Sequence, residues 1–176
     1  VNAMKVGLLL PLSGARTNLG QALQNAAQMA VFDDNGAQLD LMARDTGDTP
    51  EQAARAAEEL LSKNVGLIVG PLFAQQVARV KPLAAARNVP LLALSNDMSQ
   101  AARGTYLLGF APGPQVARIA DFACAQGSKR FVALLPSGGY GDVVNQALQL
   151  SVHRCSGASL AMRRYDAGTD QLARQL

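Results

Sequence analysis

The sequence predicts an α/β protein with a doubly wound parallel sheet. Three observations carry that prediction. Short apolar runs rich in β-branched residues alternate with longer segments of helical periodicity, the connections are short, and the apolar runs end at Gly, Pro or polar loops. The clearest case is Val65-Gly66-Leu67-Ile68-Val69-Gly70-Pro71-Leu72-Phe73. Its apolar run suits a strand buried on both faces. Gly70 supplies backbone freedom at the carboxyl end, and Pro71 stops the strand from continuing. Ligands of open parallel sheets bind beyond the carboxyl ends of the strands, so residues 70–75 are the first place to expect a site.

In chain order, residues 5–10 read as a first strand closed by Pro11, with a loop over 12–18. A helix is expected over 19–34, with Asn18 as N-cap and Leu23, Ala26, Ala27 and Ala30 facing inward. Asn35-Gly36 would end it. A second strand over 39–44 opens into Asp45-Thr46-Gly47-Asp48. Thr49-Pro50-Glu51-Gln52 then has the marks of a helix start: a capping hydroxyl, Pro at the first helical position and Gln three residues after the cap. Ala53, Ala57, Leu60 and Leu61 form that helix's apolar stripe, and Asn64 ends it. After the strand over 65–69, a helix follows Phe73 and runs to about Arg87, with Pro82 expected to bend or restart it. A fourth strand over 89–94 leads into Ser95-Asn96-Asp97.

The rhythm then changes. Residues 105–110 read as a strand with no helix of any length before it, and Ala111-Pro112-Gly113-Pro114 reads as a hinge. A second α/β set follows: helix 115–126, strand 130–135, loop 136–141, helix 142–154 and strand 159–165. A last helix opens at Thr169 or Asp170 and is cut at Leu176. This divides the chain into a first lobe, 4–110, and the beginning of a second, 111–176.

The 176 residues suffice for a sizeable core, and 49% are hydrophobic although only 5% are aromatic and none is Trp. The net charge of +3 is spread along the chain, with basic pairs only at Lys129-Arg130 and Arg163-Arg164, which argues against nucleic-acid binding. No apolar run approaches the roughly 18 residues of a membrane span. Val1-Asn2-Ala3 before Met4 resembles an appended stretch, so the native start and any targeting segment are expected to lie outside this sequence. Cys124 and Cys155 end consecutive helices that flank strand 130–135. Helices on one face of the sheet allow a disulfide between them, and helices on opposite faces leave two separate thiols.

Val6-Gly7-Leu8-Leu9-Leu10-Pro11-Leu12-Ser13-Gly14, followed by Leu19-Gly20, resembles the opening of type I periplasmic binding proteins of the leucine/isoleucine/valine-binding kind. Asp45 to Pro50, Ile68-Val69-Gly70-Pro71-Leu72, Val89-Pro90-Leu91-Leu92, Tyr140-Gly141 and Tyr165-Asp166-Ala167-Gly168-Thr169-Asp170 follow in that family's order. The resemblance implies the same fold, a ligand cleft between two lobes and a location in the periplasm. It also implies that this chain supplies most of the first lobe and the start of the second. Its cleft residues would be Ser13, Phe73, Ala74, Gln75, Ser95, Asn96 and Asp97 from the first lobe and Tyr140 from the second.

Departures from the family redirect the expectation. Amino-acid binders carry serines after Gly-Pro-Leu, whereas this loop reads Leu72-Phe73-Ala74-Gln75-Gln76. Backbone N–H donors at a helix N-terminus remain, but the hydroxyls are replaced by an aromatic ring that reads as a plug or a lobe-packing residue. Asp97 stands where it would repel a ligand carboxylate. Gly70-Pro71-Leu72 followed by a loop without serine, and Leu92-Ala93-Leu94-Ser95-Asn96, look similar to the penicillin-binding protein activators, outer-membrane lipoproteins whose C-terminal domain has this fold and regulates a peptidoglycan synthase. The alternative is a transporter's substrate-binding component for amino acids or another small polar solute. No cofactor or metal is expected: Asp45 and Asp48 read as caps, and Ser137-Gly138-Gly139-Tyr140-Gly141 lacks the spacing and Lys of a phosphate loop. No catalytic residue is assigned, because the single histidine, His153, falls far from the strands' carboxyl ends. A membrane would be reached only through a lipid anchor outside this chain.

Overall fold

The computed structural model describes residues 3–33 and 38–166. The chain forms two compact units, Val1–Gly109 and Phe110–Leu176. In the first, strands β1 (Met4–Leu10), β2 (Leu39–Asp45), β3 (Leu67–Val69), β4 (Leu91–Ala93) and β5 (Thr105–Leu107) pair in parallel in the order β2-β1-β3-β4-β5. Helices α1 (Thr17–Asp33), α2 (Pro50–Ser62) and α3 (Ala74–Ala86) connect them.

The pleat divides β1 between two cores. Leu9, with Ile68, Leu91 and Ala93, packs against Ala53, Ala57, Leu60 and Leu61 of α2 and Val77, Val80 and Ala84 of α3. Val6, Leu8 and Leu10 point the other way, toward Leu23 and Ala27 of α1. Gly7 faces α2, where a side chain would run into Leu60 Cδ1 at 2.7 Å, so its bareness sets how closely α2 seats on the sheet.

Helix α2 begins as its sequence dictates. Thr49 is the N-cap, its hydroxyl accepts from Gln52 N at 3.2 Å, and Gln52 Oε1 accepts from Thr49 N at 3.0 Å. Its end is also as read, with Asn64 in the left-handed region at φ 57°. Other boundaries differ. Helix α1 starts at Thr17, directly after a 3-10 turn at Gly14–Arg16, so Asn18 lies inside the helix and does not cap it. Ala26 and Ala30 are exposed: an alanine-rich helix offers little contrast between its faces, and Leu23 decides which one packs. Pro82 does not restart α3, which runs through it as one helix. Strands β3, β4 and β5 are shorter than expected. At β4 the reason is that Val89 N still donates to Ala84 O at 3.0 Å, finishing α3.

In the second unit, α4 (Pro112–Ala125), β6 (Arg130–Pro136), α5 (Gly139–Arg154) and β7 (Ser159–Tyr165) form a parallel two-stranded sheet covered by two helices. Ala133, Leu135 and Val144 form its core, with Val116, Leu148, Leu160 and Met162 packed against them. The expected hinge at Pro112-Gly113-Pro114 is instead the first turn of α4, where proline's fixed φ suits the helix and its lost N–H costs nothing. The expected end of the first helix at Asn35-Gly36 and the last helix from Thr169 or Asp170 lie outside the described residues. Helices α4 and α5 pack together on one face, and Cys124 is disulfide-bonded to Cys155 with a Cα–Cα distance of 6.0 Å.

Urea unfolding orders two substitutions here. Thr49→Ala removes the cap and is expected to cost about 1 kcal/mol, and Leu60→Ala opens the larger core at about 2–5 kcal/mol. An equal or reversed order would contradict this account of which contact carries α2.

Candidate functional site

The strand order places a switch point between β1 and β3, where helices leave toward opposite faces and a crevice opens at the carboxyl ends. Four segments line it: the turn after β1, the loop after β2, the Gly70–Phe73 loop and the Ser95–Asp97 loop. Gly70 has φ 96°, and a side chain there would collide with the Leu9 carbonyl, so only glycine lets β3 leave the sheet this close to β1. The peptide bond Gly70–Pro71 is cis. Leu94 N donates to Pro71 O at 3.0 Å, which ties the loops after β3 and β4 side by side, as their placement after adjacent buried strands implies.

One carboxylate organises the other half. Asp45 Oδ1 accepts from Leu12 N at 2.8 Å, Gly47 N at 2.9 Å and Ser13 N at 3.2 Å. Burial raises the Asp45 pKa, but hydrogen bonds from the Ser13 hydroxyl and from the N–H groups of Gly47, Leu12 and Ser13 outweigh it, and the net effect is a lowered value. Gln76, only 2% exposed, extends the bracing to α3: its Nε2 donates to Gly47 O at 3.2 Å and Thr46 O at 3.4 Å. Asp45 therefore acts as a loop brace.

Phe73 is the N-cap residue of α3 but makes no side-chain cap, and the helix has no acidic residue in its first turn. Instead the Arg16 guanidinium lies over the Phe73 ring, 4.4 Å from its centroid. The pair spans the crevice from the turn after β1 to the start of α3. Ala74 and Gln75 follow on the first turn of α3, where N–H groups have no intrahelical partner.

Ser95 and Asp97 lie at the crevice but are turned to structure. Ser95 is 3% exposed and its Oγ accepts from Asp97 N at 3.1 Å. Asp97 caps the 3-10 turn Met98–Gln100, accepting from Ser99 N at 3.0 Å. Hydrogen bonds from Ser99 lower its pKa, against the raising effect of burial, with further help from Gln100. Asn96 is exposed. Tyr140 is in the second unit, on the first turn of α5 and not in a loop as expected, with 55% of its surface exposed. Sequence reasoning missed Arg16, Gln76 and Thr46. A basic residue shortly after Ser13-Gly14 was the only available signal for the first, and buried polar side chains leave none.

The only histidine, His153, is in the last turn of α5, in the other unit from this crevice. Among the described residues no group of three His, Cys, Asp or Glu side chains is placed to hold a metal ion. No helix among them is long and apolar enough to cross a membrane.

A parallel sheet of this order, with a crevice lined by backbone donors at a helix start, defines a binding lobe of the α/β class. Residues 3–176 match the periplasmic binding protein family, and the chain belongs to it. Among its relatives is the penicillin-binding protein activator LpoA of Vibrio cholerae, 25% identical over 94% of this chain and 28% of that protein. The fold is shared with an ABC transporter substrate-binding protein from Sphaerobacter thermophilus, at TM-score 0.84 and 21% identity over 98% of this chain and 50% of the other. It is also shared with the branched-chain amino acid transporter protein LivJ from Streptococcus pneumoniae, solved with isoleucine. There the TM-score is 0.77 and the identity 22%, over 98% of this chain and 53% of the other. The chain thus spans under a third of the activator's length and about half of each transporter protein's.

The Asp45 brace predicts a pH dependence with a definite sign. Its folded pKa lies below the ordinary 3.8, so its stabilisation is complete above that value and is lost as pH falls through the lowered one. A carboxyl titration followed by NMR should give a midpoint below 3.8, and Asp45→Asn should flatten the acid limb of stability. A midpoint at or above 3.8 would contradict the three-donor geometry.

Proposed function

We propose that this chain is about half of a non-catalytic periplasmic binding domain, the C-terminal domain of a penicillin-binding protein activator lipoprotein that regulates peptidoglycan synthesis. Residues 4–110 make its first lobe and 111–176 the beginning of its second. The observation that carries the reading is Arg16 stacked on Phe73. A side-chain pair occupies the place where a transport protein presents hydroxyls to its ligand. Asp97, capping the turn Met98–Gln100, puts a negative charge in the loop after the adjacent strand β4. A crevice occupied by this pair would hold one shape and leave recognition of a peptidoglycan synthase to the outer surface. The relationship to the Vibrio cholerae activator supports the same direction. The protein would work in the periplasm, held at the outer membrane by a lipid anchor outside this chain.

One observation favours a second reading, the substrate-binding component of an ABC transporter for amino acids or another small polar solute. The first turn of α3 carries no acidic residue and no side-chain cap, so Ala74 and Gln75 present N–H groups able to receive a carboxylate beside Ser13 and Asn96.

Two measurements on the complete protein separate the readings. Calorimetry with leucine, isoleucine and valine should show no tight binding, and micromolar affinity for any of them would favour transport. Added to its peptidoglycan synthase, the protein should raise the rate of peptidoglycan synthesis. An unchanged rate would count against the activator assignment.

A further inference from the structure

We propose that the Cys124–Cys155 disulfide is a thiol-exchange site, entered at Cys124 and made reactive by Lys129. The two sulfurs are not equivalent. Cys155 is 5% exposed, while Cys124 is half-buried at the end of α4. The Lys129 ammonium lies 3.7 Å from Cys155 Sγ and is held there by donating to Ser156 O at 2.8 Å. The Ser128 carbonyl oxygen is 3.8 Å from the same sulfur. Arg154, next in sequence, is turned away to Asp121 at 3.3 Å and Ser151 Oγ at 3.1 Å, so Lys129 is the cation that faces the bond.

This arrangement fixes the direction of exchange. An incoming thiolate reaches Cys124 and not Cys155. A new sulfur–sulfur bond forms at Cys124 Sγ as the Cys124–Cys155 bond breaks, and the electron pair leaves on Cys155 Sγ. A neighbouring cation stabilises that thiolate, and exchange is faster the lower the pKa of the leaving thiol. When the attacking reagent is a dithiol, its second sulfur displaces Cys124 from the mixed disulfide. The dithiol is then oxidised by two electrons, the protein disulfide is reduced by two, and the dithiol's two protons end on the cysteines. Reduction unties the end of α4 from the end of α5. Neither the Arg154–Asp121 ion pair nor the core around Ala133, Leu135 and Val144 includes the disulfide.

The test needs no denaturant. The intact chain is treated with limiting glutathione near neutral pH, blocked with an alkylating reagent and mapped by mass spectrometry. Glutathione should be found on Cys124 and the alkyl group on Cys155. Glutathione on Cys155, or no adduct until denaturant is added, overturns the proposal. Dithiothreitol reduction of Lys129→Met should be a few-fold slower than wild type, because the departing thiolate loses its neighbouring cation. Lys129→Arg should restore the rate to within about two-fold, since it keeps the cation. A Lys129→Met rate equal to wild type also overturns it. General loosening of the unit would speed reduction instead of slowing it, so the direction of change separates the charge effect from misfolding.

Discussion

The loops at the carboxyl ends of β1 and β2 depend on a single carboxylate oxygen. Asp45 Oδ1 gathers three backbone N–H groups, two from the turn after β1 and one from its own loop. Charge-assisted bonds of this kind are stronger than neutral ones, and these hold the loops after two neighbouring strands against each other. Gln76 continues the brace by holding the carbonyls of Thr46 and Gly47 against α3. The crevice is therefore preformed. The start of α3, the turn carrying Arg16 and the loop after β2 share one polar network, and a change in any of them is felt by the other two.

That rigidity gives the Arg16–Phe73 contact its meaning. A surface cation–π pair is worth only about 0.5–1 kcal/mol, too little to hold two mobile loops together. Between two segments already fixed by Asp45 and Gln76, the same contact has little entropy left to overcome. It also brings a positive charge toward the start of α3, the positive end of the helix. In the neighbouring loop, Ser95 and Asp97 are spent on local bonds.

Much of the fold was legible because its signals are local. Thr49-Pro50 with Gln52 specifies the start of α2 through bonds among neighbours, and Gly70-Pro71 ends β3 by backbone geometry alone. The strand over 159–165 is found over the same residues as β7. What failed was non-local or lacked contrast. Helix α1 is so rich in alanine that its inner face had no pattern, and packing at Leu23 and Ala27 settled it. Gly139-Tyr140-Gly141 reads as loop because glycine is a poor helix former, yet it is the first turn of α5, where Arg164 pairs with Asp142 at 2.7 Å. The partners Arg16 and Phe73 are far apart in sequence, and no periodicity links them. The disulfide was undecided from sequence because it turned on whether α4 and α5 share a face of the sheet, and they do.

The central claim is the proposal that the Arg16–Phe73 pair stands in the ligand's place in the first-lobe crevice. It is tested most directly by a crystal structure of the complete protein grown with a large excess of isoleucine. The account predicts Arg16 stacked on Phe73 over the start of α3, with no amino acid in the crevice. An isoleucine carboxylate bound to the N–H groups of Ala74 and Gln75, with the Phe73 ring displaced, would contradict it.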